Sequence, residues 1–104
     1  MPVGMLQTLQ GVTKEQYDQV NEKMFGQSPP PADKAPDGLI VHSAGPTQGG
    51  WYIYDIWESK DAFQRFTDGQ LGAAVKEVFG DMPMPPGGEP QFFEIESLAV
   101  VEST

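Results

Sequence analysis

The sequence predicts a single α+β domain over residues 1–104: one antiparallel four-stranded sheet with its helices on one face, in the order β-α-β-β-α-β. Three observations predict it. Glycine and proline gather into three breaker clusters, at Pro29–Pro36, Gly45–Gly50 and Pro83–Pro90, and leave patterned segments between them. A Thr13-x-x-Gln16 capping box starts a helical pattern directly after a strand-like segment. Trp51–Trp57, aromatic and β-branched throughout most of its length, is the strongest strand in the chain and follows a second β-branched run across a short loop.

Each element has its own reason. Val3–Leu9 mixes apolar and polar residues up to Gly11 and reads as the first strand. Thr13 caps the first helix, and Tyr17, Val20 and Met24 mark one face of it at spacings of three and four. That helix is expected to stop near Gly26, before the prolines. Leu39–Ser43 is a short strand bounded by Gly38 and by Gly45-Pro46, and it pairs with Trp51–Trp57 as a hairpin. Ser59 caps a second helix whose buried side carries Ala62, Phe63 and Phe66. Gly69 interrupts it. The pattern resumes with Leu71, Ala74, Val75, Val78 and Phe79 and stops at Gly80. Phe92–Val101 is the last strand, with Phe93, Ile95, Ala99 and Val101 on one face and Glu94 and Glu96 on the other until Leu98 and Val100 turn that face apolar too. This is the split βαβ, ferredoxin-like order.

Composition excludes several functions. Fifteen acidic residues against six basic ones leave a net charge of −9, which repels a phosphate backbone and an anionic membrane surface, so neither nucleic acid nor membrane is an expected partner. Without cysteine there is no disulfide, thiolate metal site or cysteine nucleophile, and one histidine precludes a multi-histidine metal centre. No metal site and no cofactor is expected. The chain opens on no basic-plus-apolar leader, so a cytoplasmic location is expected. Helices on one sheet face leave the other bare, and its aromatic and β-branched side chains form too large an apolar patch for a soluble monomer. A homodimer with the two sheets face to face is therefore expected, with the apolar Leu98–Val101 end joining the interface.

The passage Asp55-Ile56-Trp57-Glu58-Ser59, followed by Ala62-Phe63 and Phe66 and preceded by His42-Ser43-Ala44-Gly45-Pro46 and Gly49-Gly50-Trp51, resembles the dimeric α+β barrel superfamily, in particular the antibiotic biosynthesis monooxygenase-like small proteins. The order of elements is similar over nearly the whole chain. The resemblance implies a dimeric barrel and a cofactor-independent monooxygenase-type activity on an aromatic or polyketide-like molecule. It also admits a polyketide cyclase or isomerase, or a non-catalytic ligand-binding or stress-associated dimer, because this fold hosts many activities. The haem-degrading branch resembles the chain at Trp57. Its haem-ligating histidine falls at or near Val75, and its pocket asparagine at Met5 or Gln7. Valine cannot ligate iron, so haem degradation is not expected, and Val75 is expected only to line the cleft.

His42, the sole imidazole, suits general acid–base work; it equally suits a structural hydrogen bond inside a dimer core. Asp55 shares a strand face with Ile53 and Trp57, where partial desolvation would poise a carboxylate as a base; loop amides are its alternative partners. These two are the candidate catalytic residues, and the hairpin register that would bring them together is open. Trp51 and Trp57 share the Asp55 face, and the resemblance turns Trp57 towards the helices, leaving Tyr52 and Tyr54 for the barrel interior. Tyr17 and Met24 line the inner face of the first helix. Tyr17, Met24, Trp51, Tyr52, Trp57 and Val75 are the candidate substrate-binding residues, ordinary core packing being the alternative for each. Glu94 and Glu96 read as a solvated edge. The proline-rich loops 26–38 and 81–90 border the helix ends, as the mouth of a cleft or as rigid connectors.

Overall fold

A computed structural model describes residues 2–28, 32–82, 84–85 and 87–99. β1 (Val3–Gln10) leads into α1 (Lys14–Phe25), a 3-10 turn follows at Ala32–Lys34, and β2 (Leu39–Thr47) and β3 (Gly50–Trp57) form the hairpin. α2 (Lys60–Phe66), a π-helical segment (Thr67–Leu71), α3 (Gly72–Phe79) and β4 (Gln91–Glu94) complete the order.

Local chemistry sets these boundaries. The capping box at α1 is closed on both sides: Gln16 N–H donates to Thr13 Oγ1 at 3.2 Å, and Thr13 N–H donates to Gln16 Oε1 at 3.0 Å. Ala62 N–H donates to Ser59 Oγ at 3.1 Å and starts α2. Gly69 leaves helical geometry, with φ −105° and ψ −105°, and widens the helix into the π segment where the sequence pattern breaks.

The sheet runs β2-β3-β1-β4, with every neighbouring pair antiparallel. Alternation along β3 sends Trp51, Asp55 and Trp57 into the helix layer, where all three are buried. Met5 of β1 stands opposite Asp55 on that face. Met5, Trp57, Ala62 and Phe63 form the core. Phe63 meets the Trp57 ring edge-on at 5.6 Å, Phe66 tilts against it at 5.5 Å, and Phe92 of β4 meets Phe63 edge-on at 5.5 Å. Such pairs add about 0.5–1.5 kcal/mol each beyond the area they bury.

Three elements differ from the sequence expectation. β2 does not stop at Ser43 but continues through Gly45-Pro46 to Thr47. Proline is tolerated there because β2 is an edge strand. The last strand is Gln91–Glu94 rather than Phe92–Val101: its ladder with β1 ends at the pair Val3–Glu94, and the neighbouring Pro2 has no N–H to extend it. Ile95 N–H reaches only the Pro2 carbonyl, at 3.1 Å. Leu98 and Ala99 are exposed, and Val100 and Val101 lie outside the described residues, as do the prolines at 29–31, 83 and 86. Finally, Ala74 is the one buried residue of α3, and Val75 is 38% exposed, because α3 packs chiefly on α1 and the π segment rather than on the sheet.

Among the described residues no helix covers the other sheet face. Gly4, Leu6, Tyr52, Tyr54, Ile56, Val41 and Phe93 occupy it by alternation, and Val41 and Phe93 are exposed. The tyrosines lie down on this surface. A Cβ added at Gly4 would stand 2.8 Å from the Tyr54 hydroxyl, and one added at Gly45 would stand 2.9 Å from the Tyr52 ring. The two glycines thus let the rings rest against the backbone.

Candidate functional site

The hairpin register places His42 directly opposite Asp55, so both project into the helix layer. His42 Nδ1 lies 2.7 Å from Asp55 Oδ1, and Trp57 Nε1–H donates to Asp55 Oδ2 at 3.2 Å. Asp55 is only 5% exposed. A carboxylate so enclosed needs donors on its oxygens, and these two supply them. On the far side of the imidazole, His42 Nε2 lies 2.5 Å from Tyr17 Oη. Because the Asp55 carboxylate only accepts, the neutral imidazole carries its proton on Nδ1, and Nε2 accepts the Tyr17 hydroxyl proton. The result is an ordered line, Tyr17–His42–Asp55–Trp57, drawn from α1, β2 and β3. The Tyr17 and His42 rings are nearly parallel, 9° apart, and Trp51 tilts against Tyr17 with ring centroids 5.1 Å apart. The His42 side chain keeps 26% of its surface exposed, so the line is reachable at its imidazole.

Burial pushes the Tyr17 phenol above its ordinary value of 10.0; a hydrogen bond from Asn21 pulls the other way, and the charges of Asp55 and Asp18 push it further up. A raised acid of this kind contributes stability that is fully present below pH 10.0 and is lost as pH climbs through the raised value. Tyrosinate absorbance at 295 nm is therefore expected to show one phenol titrating late. In Tyr17→Phe that late phase should vanish; its persistence would assign it to another tyrosine.

Behind Tyr17 lies a second polar line that sequence reasoning missed. Asn21, 4% exposed, donates through Nδ2 to Ser28 Oγ at 3.1 Å. Ser28 donates to Asp18 Oδ1 at 2.6 Å, and Lys14 Nζ holds Asp18 Oδ2 at 2.6 Å. The available signal was spacing: Asn21 is four residues after Tyr17 and adjoins Val20, on the inner face.

The remaining candidates are spread around this line. Met24 is half-buried about two turns further along α1 than Tyr17, and its carbonyl accepts from Gln70 Nε2 at 2.9 Å. Trp57 has 0% exposure, so it reaches the site through its hydrogen bond to Asp55 rather than through an open surface. Tyr52 is on the opposite sheet face, away from His42. Val75 stands on the exposed side of α3. Glu94 and Glu96 are exposed.

Among the described residues, no group of three or more His, Cys, Asp or Glu side chains is placed to hold a metal ion. Haem ligation does not fit these residues either: Val75 carries no donor atom, Met5 is sealed in the core, and both nitrogens of His42 are engaged. The best-formed depressions are shallow and open. One, of about 640 Å³, lies between the Gly11–Lys14 turn and the Ala44–Trp51 end of the hairpin; another, of about 550 Å³, lies on the outer surface of α1. His42 and Asp55 line neither.

Solved structures share this fold. SnoaB from Streptomyces nogalater, a cofactor-independent oxygenase seen as a point mutant, superposes with a TM-score of 0.60 at 9% identity, over 93% of this chain and 95% of that one. A dimeric ferredoxin-like protein of unknown function from Thermobifida fusca gives 0.59 at 18% identity, over 91% and 92%. The haem-degrader MhuD from Mycobacterium tuberculosis, with two haems in its active site, gives 0.54 at 18% identity, over 96% and 100%. The chain thus has the ferredoxin-like fold of the antibiotic biosynthesis monooxygenase-like proteins. No protein-family model and no curated protein matches it in sequence.

Proposed function

We propose that the protein is a cytoplasmic homodimer that binds a small aromatic or polyketide-like molecule and oxygenates it without a cofactor. The observation that carries this reading is the Tyr17–His42–Asp55 line, a partly exposed imidazole whose tautomer is set by a buried carboxylate and whose free lone pair meets a phenol. That arrangement supplies a general base. Electron counting narrows the substrate. Converting a methylene to a carbonyl releases four electrons, which reduce one O2 to the new carbonyl oxygen and one water, with no outside reductant. Hydroxylating an aromatic C–H needs two more electrons than the substrate gives. The substrate is therefore a molecule that itself gives up four electrons, such as one with an acidic methylene beside an aromatic ring or carbonyl, or a phenol that becomes a quinone. His42, through Tyr17, takes the C–H proton, and the carbanion reacts with O2. Trp51 and Met24 form the apolar surroundings. The uncovered sheet face supports the homodimer, and a dimeric structural neighbour agrees with it.

Oxygen uptake with methylene-bearing polycyclic ketones tests the reading. Wild-type protein should consume one O2 per product without added cofactor, and His42→Gln should lower the rate about 100-fold or more. Product formation without oxygen uptake would identify a cyclase or isomerase instead. A second reading, a non-catalytic dimer, is favoured by the close packing beside His42, where Trp57, Met5 and Trp51 are all buried. Binding without turnover or oxygen uptake across the panel would support it.

A further inference from the structure

Among the described residues, two enclosed side-chain polar atoms have no hydrogen-bond partner: Trp51 Nε1 and Thr67 Oγ1. Thr67 belongs to the π segment and lines neither depression. Trp51 lines the larger one, of about 640 Å³, and is 5% exposed. That volume is in the range of about 300–1,000 Å³ usual for small-molecule sites. An indole N–H is a donor only, so what completes it is an acceptor, and a buried donor left unpaired is costly. Gly11, Val12, Ala44 and Pro46 make the walls beside the ring apolar. The polar rim is already engaged. Lys14 Nζ is held by Asp18 at 2.6 Å, and Thr13 is closed into the capping box. With that ammonium paired and a net charge of −9 on the chain, this place favours a neutral acceptor over an anion.

The depression also has a direction. On the inner face of β2 the side chains run Pro46, Ala44, His42, opposite Trp51, Ile53 and Asp55. Pro46 and Ala44 line the depression, and His42 is the next side chain on that face, about 7 Å beyond Ala44. The Trp51 ring itself lies against Tyr17. We propose that this depression is the subsite for the carbonyl end of the substrate: a neutral, flat ketone puts its oxygen on Trp51 Nε1–H and lays its rings along Ala44 toward His42. The inference deepens the reading of Tyr17–His42–Asp55 as the base and rests on it for the direction of the rings. Residues 46–49 and Gly11, beside the indole, are exposed turn or strand-end residues, and they shift to admit the oxygen to the covered nitrogen. Trp51 binds and orients the substrate and moves no proton.

The test follows the indole N–H signals in 1H–15N spectra of the full-length chain. Trp51 is identified by the signal missing from Trp51→Phe or, where that variant does not fold, by its proximity to the Tyr17 ring protons. The ligands are 2-tetralone and tetralin, the same two rings without the oxygen. 2-Tetralone is expected to move the Trp51 N–H proton downfield in a saturable way and to leave Trp57, already bonded to Asp55, in place. Tetralin is expected to cause no downfield shift. Trp51→Phe, which lacks the donor, should bind 2-tetralone about tenfold more weakly. Ala44→Leu, which fills the depression from an edge strand, should weaken binding about tenfold or more. No saturable shift of the Trp51 signal, or the same shift with both ligands, overturns the proposal. So does undiminished 2-tetralone binding in a folded Ala44→Leu. Oxygen uptake with methylene-bearing polycyclic ketones at an unchanged KM in Ala44→Leu removes the subsite and leaves the base standing. A saturable downfield shift in a protein that consumes no oxygen keeps the subsite and removes the oxygenase reading.

Discussion

Trp57→Ala is expected to remove most of the stability of this domain. Trp57 has no exposed surface and packs on Met5, Phe63 and Phe66, so the substitution leaves a cavity where three elements meet. Truncating a buried tryptophan costs about 3–5 kcal/mol. The lost Nε1–H also strips one donor from the enclosed Asp55 carboxylate, adding about 1–3 kcal/mol. A domain of this size has about 5–15 kcal/mol to lose. Urea unfolding at pH 7 and fixed protein concentration should show the midpoint collapse or the folded baseline disappear. A loss below about 1 kcal/mol would mean that Trp57 is not the centre of the core.

Asp55→Asn is expected to have the largest effect on chemistry while keeping the fold. The shape is preserved, but the amide cannot accept from both His42 and Trp57 as the carboxylate does. If its nitrogen faces the imidazole, the favoured tautomer reverses: Nδ1 becomes the acceptor and Nε2 carries the proton. Nε2–H then donates to Tyr17, and the lone pair that the proposed reaction uses as its base is turned away from the phenol. The same change in a serine-protease triad lowers turnover about 10⁴-fold with the geometry intact. A fall on the order of 10³–10⁴ in oxygen uptake is expected here, together with a switch of the protonated ring nitrogen in 15N spectra of His42. Unchanged tautomer and unchanged turnover would remove Asp55 from the mechanism.

The order of elements was legible because each start carries a local chemical mark. Thr13-x-x-Gln16 and Ser59 close their helices within four residues, and the alternation of Trp51, Asp55 and Trp57 needs no knowledge of the rest of the chain. Register was not legible. The pairing of His42 with Asp55 depends on β2 running on through Pro46 to a tight turn, and a breaker rule ends the strand at Gly45. That rule describes an interior strand, whereas Pro46 lies at the sheet border, a fact that belongs to the whole fold. The end of β4 was hidden for a related reason: the ladder stops at the Val3–Glu94 pair, and Pro2 beside it has no N–H to extend it. Ile95, just beyond, keeps the apolar pattern of a strand but bonds only to the Pro2 carbonyl. The exposure of Val75 was not legible because helical spacing identifies a stripe but not its depth, and α3 lies against α1 more than against the sheet. Asn21 went unread because a polar residue on an apolar face looks like an interruption until its partners, seven residues and one loop away, are known.

Pro46 has a consequence for how molecules of this protein meet. It leaves one border of the sheet without a hydrogen-bond donor at that position, and the opposite border is a strand of only four residues. Neither margin is a good template for a foreign strand, so lateral polymerisation is discouraged. In the homodimer proposed above, two tyrosine-bearing faces would cover one another, and these margins would offer a third copy little to pair with.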